Sequence, residues 1–341
     1  MANPLHQTTS RTMIAQDLPV IAPRVIAPQE PPQDAAASLC DLFRRRQDIC
    51  HLLYQLVQII QAVQRHRGMS MALLGGNNLF YERFVQLQQQ LERRLAVLRI
   101  FVANAGALFS ARDQQHLYNA WVSISRNWQK DSVIDNYELH CHLIEQLLSL
   151  LASLAKQLEI SLPAAASAPA PAPAVSVVSK NEFLTRDRNL PNRSRYLEVL
   201  HFSTRLMPAV AEQIGRIRAL STYAAALGHC DSHHDGKLRY VIQCTRVNNE
   251  KLHHQTQRLQ ALLDGEIEGL AQLKRYEIKL MFLLDMIEHD VLGKNPITAD
   301  SNGLFTLATD IMDTYLQMIN QGLQLIALFN TEDLETWLCA D

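Results

Sequence analysis

The sequence predicts an all-α fold built as two four-helix bundles related by an internal repeat. Three observations lead there. Across 341 residues there are only 12 Gly and 13 Pro, and more than a third of the prolines precede Cys40, so most of the chain lacks the punctuation that many short strands require. No stretch alternates apolar and polar residues with period 2, while apolar residues recur at steps of three and four over long segments. A short helical motif occurs once in each half of the chain, which points to duplication.

The elements follow in order. Residues 1–35 are rich in Pro, Gln, Ala and Thr and are read as a flexible N-terminal arm. Residues 36–160 form the first bundle, with helices expected over 36–74, 79–105, 110–129 and 132–158. Residues 161–180 contain PAAASAPAPAPAVSVV, where alternating Ala-Pro stops a helix and favours an extended, solvated linker. Residues 181–329 form the second bundle, with helices over 194–227, 236–263, 266–291 and 297–328, and residues 330–341 make a C-terminal tail. Ser110 with Asp113 marks a helix start with an acidic first turn, and Gly293 before Pro296 marks an end and a restart.

Composition narrows the function classes. Hydrophobic residues make up 48% of the chain, enough for a sizeable core. The formal net charge of −2 offers no global attraction for nucleic acid or an anionic membrane, and nucleic-acid binding is not expected. No uninterrupted apolar run reads as a membrane span. Six scattered cysteines without a CxxC pair, and an N-terminus without a signal-peptide pattern, suggest a cytoplasmic protein with reduced thiols.

The repeat carries the most informative residues. QRHRGMSMALLGG, from Gln64, and IGRIRALSTYAAALG, from Ile214, align so that Arg67 falls on Arg218, Arg65 on Arg216 and Ser70 on Ser221. Leu56, Ile60, Val63, Arg67, Ser70 and Leu74 lie on one helical face, as do Met207, Ala211, Ile214, Arg218, Ser221 and Ala225. Each face therefore turns an arginine and a serine toward a core. A guanidinium keeps its proton, and a buried ion without a partner costs several kcal/mol, so each arginine needs a counterion. Glu82, Glu138, Glu212, Glu250, Asp310 and Asp313 are internal candidates, which would make the protein a helical adaptor or scaffold with structural Arg-carboxylate pairs and no ligand. Alternatively the arginines converge on a small planar oxyanion, which guanidinium forks suit. Pattern alone leaves both open. Arg275, at the edge of the Ala271, Ile278 and Phe282 face, is a further basic candidate.

Arg67-Gly68-Met69-Ser70 followed by MALLGG resembles the opening motif of nitrate- and nitrite-sensing (NIT) domains, usually QxxRG-apolar-Ser/Ala. GRIRALSTYAAALG resembles the second motif of that family, GxxRALS, and FTLATDIMDTYLQMI, from Phe305, resembles its closing helix. The likeness covers about Ser38 to Leu328. It implies two helical bundles holding nitrate or nitrite between helices, with Arg67, Arg218 and Arg275 as anion ligands and no further cofactor. Members often carry two adjacent arginines at the first site; here His66 stands beside Arg67, which implies a charge that is missing or pH-dependent, with Arg65 or Arg216 as a compensating charge and Ser70 and Ser221 alongside. Sensors of this kind are commonly joined to an output unit. With only about a dozen residues after the last expected helix, a signal would leave through a separate protein partner or a homodimer.

Other constellations point to less. His229, Cys230, His233 and His234 resemble a metal cluster but read as an exposed loop without a second cluster, so no metal site is assigned. His140 and His142 flank Cys141 and diverge on a helix. Trp121 and Trp128 read as core, Gln86 to Gln90 as a polar face, and Arg44 to Arg46 as a solvated helix start. No phosphate loop, nucleophile elbow or HExxH motif occurs, and the chain is not expected to be an enzyme.

Overall fold

The computed structural model describes residues 33–104, 108–160, 190–263 and 265–338, and among these every regular element is helical. Helix α1 (Gln33–Leu74) is followed by a 3₁₀ turn (Asn78–Phe80), α2 (Tyr81–Asn104), α3 (Ala111–Asn127) and α4 (Val133–Leu158). After residue 190, α5 (Leu190–His201) runs through a π-helical turn (Phe202–Leu206) into α6 (Met207–Leu227). Then come α7 (Ser232–Leu263), α8 (Glu268–Asp290) and α9 (Ser301–Leu338).

Local chemistry accounts for the boundaries. Ser110 and Ser132 each accept from the backbone N–H three residues on, at 3.1 Å, so α3 and α4 start on side-chain caps. Gly228 closes α6 in the left-handed conformation at φ 81°, which a residue with a Cβ adopts at a cost. Pro208 has no N–H for the carbonyl four residues back, and the π turn lies just before it, widening the rod where an α ladder would clash.

Helix α1 packs on α2, α4, α6 and α9, and α6 packs on α1, α7 and α9. These two helices are therefore enclosed by neighbours. Most buried apolar residues form one continuous cluster from Ile49 to Ile326, spanning both halves of the chain, with a small second cluster around Phe80, Phe84 and Phe305. No helix among the described residues is long and apolar enough to cross a membrane.

Two boundaries differ from the sequence reading. Helix α9 runs to Leu338, ten residues past the expected end at 328, because FNTEDLETWL contains neither Gly nor Pro to stop it. Asn330, assigned to the tail, is buried and hydrogen-bonded inside the fold. The expected Ala/Pro linker, 161–180, and the expected arm apart from residues 33–35 lie outside the described residues; 33–35 open α1.

Candidate functional site

The two motif segments sit where α1 and α6 cross, and both are buried nearly all round. On α1 the burial takes in Gln64 and His66 as well as Arg67 and Ser70; on α6 it takes in Glu212 and Thr222 as well as Arg218 and Ser221. Arg67 and Arg218 have 0% exposure. Close approach depends on two glycines. A Cβ on Gly215 would lie 2.9 Å from Arg67 Nη2, and one on Gly68 would lie 2.9 Å from the Phe305 ring and 3.2 Å from Arg218 Nε. Each glycine thus makes room beside the arginine of the opposite helix.

Arg67 meets a carboxylate. Its Nη1 and Nη2 donate to Glu212 Oε1 and Oε2 at 2.7 and 3.1 Å, a two-pronged pair. Arg216 Nε donates to Oε1 at 2.8 Å and Gln64 Nε2 to Oε2 at 2.9 Å. Arg67 Nη1 also lies 3.2 Å from Cys141 Sγ, and its guanidinium stands over the Tyr137 ring. Burial works against the Glu212 charge, but attraction to Arg67 and the donated hydrogen bonds outweigh it and hold the carboxyl below its usual range. The same balance raises Arg67, where attraction to Glu212 outweighs burial.

Arg218 meets none among the described residues. Its Nη1 donates to Thr309 Oγ1 at 2.9 Å and its Nη2 to the Gln64 carbonyl at 2.7 Å, both neutral acceptors. Its Nε is buried without a partner. The guanidinium lies 4.8 Å from the Phe305 ring centroid, a cation-π contact. Burial first, then repulsion from Arg67 and Arg65, push this group down to about 9. It still carries its charge at neutral pH.

The remaining titratable groups in the cluster are neutral. His140 Nδ1 lies 2.6 Å from the Asn136 carbonyl and must donate to it, so His140 Nε2 accepts from His66 Nδ1 at 2.8 Å. Burial pushes His140 down to about 3, and burial together with His140 pushes His66 well below its ordinary range. Burial raises the Tyr137 and Cys141 groups. His66 therefore stands beside Arg67 in sequence without adding a positive charge, its ring packed against Phe84 and Trp121.

Of the other expected site residues, Arg216 is partly exposed and links Glu212 to Glu145. Ser70 Oγ bonds the Arg67 carbonyl and Asn136 Oδ1, and Ser221 Oγ the Arg218 carbonyl, so both serines bond their own helix. Arg275 is exposed on α8, and so is the Ala271, Ile278 and Phe282 line; α8 buries Leu273, Leu280, Leu284 and Ile287 instead. Arg275 is thus remote in burial and in face from the paired arginines.

Four contributors went unassigned. Glu212 stood among six acids with nothing to select it. Gln64 opens the first motif, and Phe305 and Thr309 lie in the closing-helix motif, so these three had a sequence signal. Arg46 differs from its neighbours Arg44 and Arg45: it is buried, donating to Asn330 Oδ1 at 3.0 and 2.7 Å, to the Ile160 carbonyl at 2.8 Å and to the Tyr196 hydroxyl at 3.1 Å. It ties α1, the end of α4, α5 and α9 together. The 229–234 segment is partly helical; Asp231 caps α7 by accepting from the His233 and His234 N–H groups at 2.9 Å, and its other oxygen lies 2.6 Å from His234 Nδ1.

Three surface cavities, lined by α2 with α3, by α1 with α9 near Cys50, and by α1 with α9 near Asp313, do not include Arg67 or Arg218. Comparison with models of known protein families, with curated proteins and with solved structures returns no match.

Proposed function

We propose that this protein is a cytoplasmic sensor of a small monovalent oxyanion, nitrate or nitrite by the NIT resemblance, and that it is not an enzyme. One observation carries the reading: Arg218 is fully buried and charged, with no carboxylate partner among the described residues. A buried, unpaired guanidinium destabilises a fold, and an external anion removes that cost. A planar oxyanion of one charge matches the planar donor edge.

The architecture behind this reading is a pair of related four-helix bundles, α1–α4 and α5–α9, the latter counting α5 and α6 as one rod through the π turn, joined where α1 crosses α6. The arginines lie at that crossing, held close by Gly68 and Gly215, so an anion entering it would have to spread the helices. Ligand binding would then favour one packing over another, and the change would pass to a separate protein partner or across a homodimer.

A specific observation favours the alternative of a ligand-free adaptor: Arg67 already has Glu212. Arg218 distinguishes the two readings. Thermal denaturation in nitrate against chloride at equal ionic strength is the test. Nitrate at a hundredfold excess over Kd stabilises by about 2.7 kcal/mol, and Arg218→Met removes the response. A melting temperature indifferent to nitrate overturns the sensing reading and leaves the adaptor.

A further inference from the structure

The charge count at the α1–α6 crossing restricts what the crossing can hold, and it depends on one residue. Arg67 and Arg218 contribute two positive charges and Glu212 one negative, leaving one positive charge in excess. The surrounding titratable groups do not alter that count. His66, His140, Tyr137 and Cys141 are uncharged. Arg216 is partly exposed and shares its charge between Glu212 and Glu145, and Arg65 is paired with Asp313 at 2.6 Å where solvent reaches both.

The geometry concentrates that excess on Arg218. Both Glu212 oxygens are occupied, one by Arg67 Nη1 and Arg216 Nε and the other by Arg67 Nη2 and Gln64 Nε2. Gln64 bridges the two halves of the crossing: its side chain donates to Glu212 while its carbonyl accepts from Arg218. Glu212 therefore occupies the Arg67 fork as an internal anion.

Resting on the anion-sensing reading, we infer that Glu212 sets the valence of the ligand: by occupying Arg67 it confines the site to monovalent anions, and loss of its charge admits a dianion. A dianion in the wild-type crossing would face a single free charge and bring one uncompensated negative charge into the core, which burial disfavours. Without the Glu212 charge, both guanidinium groups of the crossing lack an internal anion, and a tetrahedral dianion such as sulfate would meet two positive charges rather than one.

Isothermal titration calorimetry with potassium nitrate and potassium sulfate, at constant ionic strength in chloride-free buffer, tests this on the full chain. Calorimetry reads binding directly, whereas sulfate raises melting temperatures generally. Wild type is expected to take nitrate and not sulfate. Glu212→Gln is expected to take sulfate with its preference over nitrate shifted by at least about tenfold, the worth of one charge-assisted hydrogen bond. Glu212→Asp keeps the wild-type preference.

If wild type binds nitrate and Glu212→Gln keeps the same preference, the valence inference is overturned while the sensing reading stands. If wild type binds neither ion, the sensing reading falls and the valence inference falls with it, even where Glu212→Gln takes sulfate. Binding of neither ion to either protein overturns both. Should Glu212→Gln not fold, Arg67→Gln/Glu212→Gln decides, because it again has one buried charge: uptake of nitrate alone supports the inference, and uptake of sulfate overturns it.

Discussion

Arg67 and Arg218 fall at matching positions of the two sequence motifs and are equally buried, yet among the described residues only Arg67 faces a carboxylate. The register that puts Arg67 over Arg218 explains the difference. Glu212, six residues before Arg218 on α6, reaches across to Arg67. The residue six before Arg67 on α1 is Gln61, which is neutral and donates to Asp313 Oδ1 at 3.0 Å. An acid at 212 and an amide at 61 thus separate an arginine with a carboxylate from one without, although the Nε of each is buried without a partner. The same side chain at the same depth meets a carboxylate in one place and only neutral acceptors in the other.

This comparison can be broken by removing one charge at a time. Glu212→Ala leaves Arg67 buried without its counterion, and breaking a buried pair this way costs about 3–5 kcal/mol. Arg218→Met removes a charge that has no counterion among the described residues and fills the space with an apolar chain; in anion-free buffer it is expected to stabilise the protein by about 1–4 kcal/mol. Urea denaturation measures both, and opposite signs are the prediction. If Arg218→Met destabilises as much as Glu212→Ala, Arg218 is satisfied by Thr309, Gln64 and Phe305 alone, and the contrast between the halves fails.

The legible part of this arrangement was its periodicity. Steps of three and four placed Arg67 and Arg218 on faces that are buried, because one helical face is a property of the local sequence. Burial of the opposite faces was not legible, since it arises from four neighbours around α1 that no local window contains. At His66 the sequence predicts a charge that is missing or pH-dependent, and only the enclosure by Phe84, Trp121 and His140 shows why the ring is neutral. Arg275 failed differently. Helix α8 has two apolar lines, and spacing alone does not say which one is covered. Glu212 needed knowledge of which helix crosses α1 before it could be chosen over five other acids.

The histidine pair of α1 and α4 gives the crossing a pH dependence between neutrality and the carboxylate range. Folded His66 and His140 have lowered pKa values, so the unfolded chain takes up their protons first. Their contribution is fully present above the ordinary value of 6.5 and is lost as pH falls toward about 3, the folded value for His140. The slope is at most about 1.4 kcal/mol per pH unit for each histidine. Glu212, also lowered, adds its loss only once pH falls below the ordinary carboxylate range. Stability measured from pH 7 to 5 isolates the histidines, and His66→Leu/His140→Leu is expected to flatten the curve there. A slope unchanged in the double variant would assign the acid sensitivity elsewhere.

The smallest expected effects separate the two serines. Ser70 Oγ lies 2.7 Å from Asn136 Oδ1, and Asn136 Nδ2 is buried with no other partner. Ser70→Ala therefore leaves a whole buried amide side chain unpaired, at about 1–3 kcal/mol. Ser221 Oγ makes only a 3.4 Å contact to the Arg218 carbonyl of its own helix. Ser221→Ala loses that weak bond and gains slightly in helix propensity, leaving stability within about 0.5 kcal/mol of wild type. The repeated serine thus differs as the arginine does: the copy on α1 is tied into a network with α4, and the copy on α6 is not. Equal losses in the two variants would mean that Ser221 has a partner at the crossing, and an anion bound beside Arg218 is the partner that nitrate titration of Ser221→Ala would reveal.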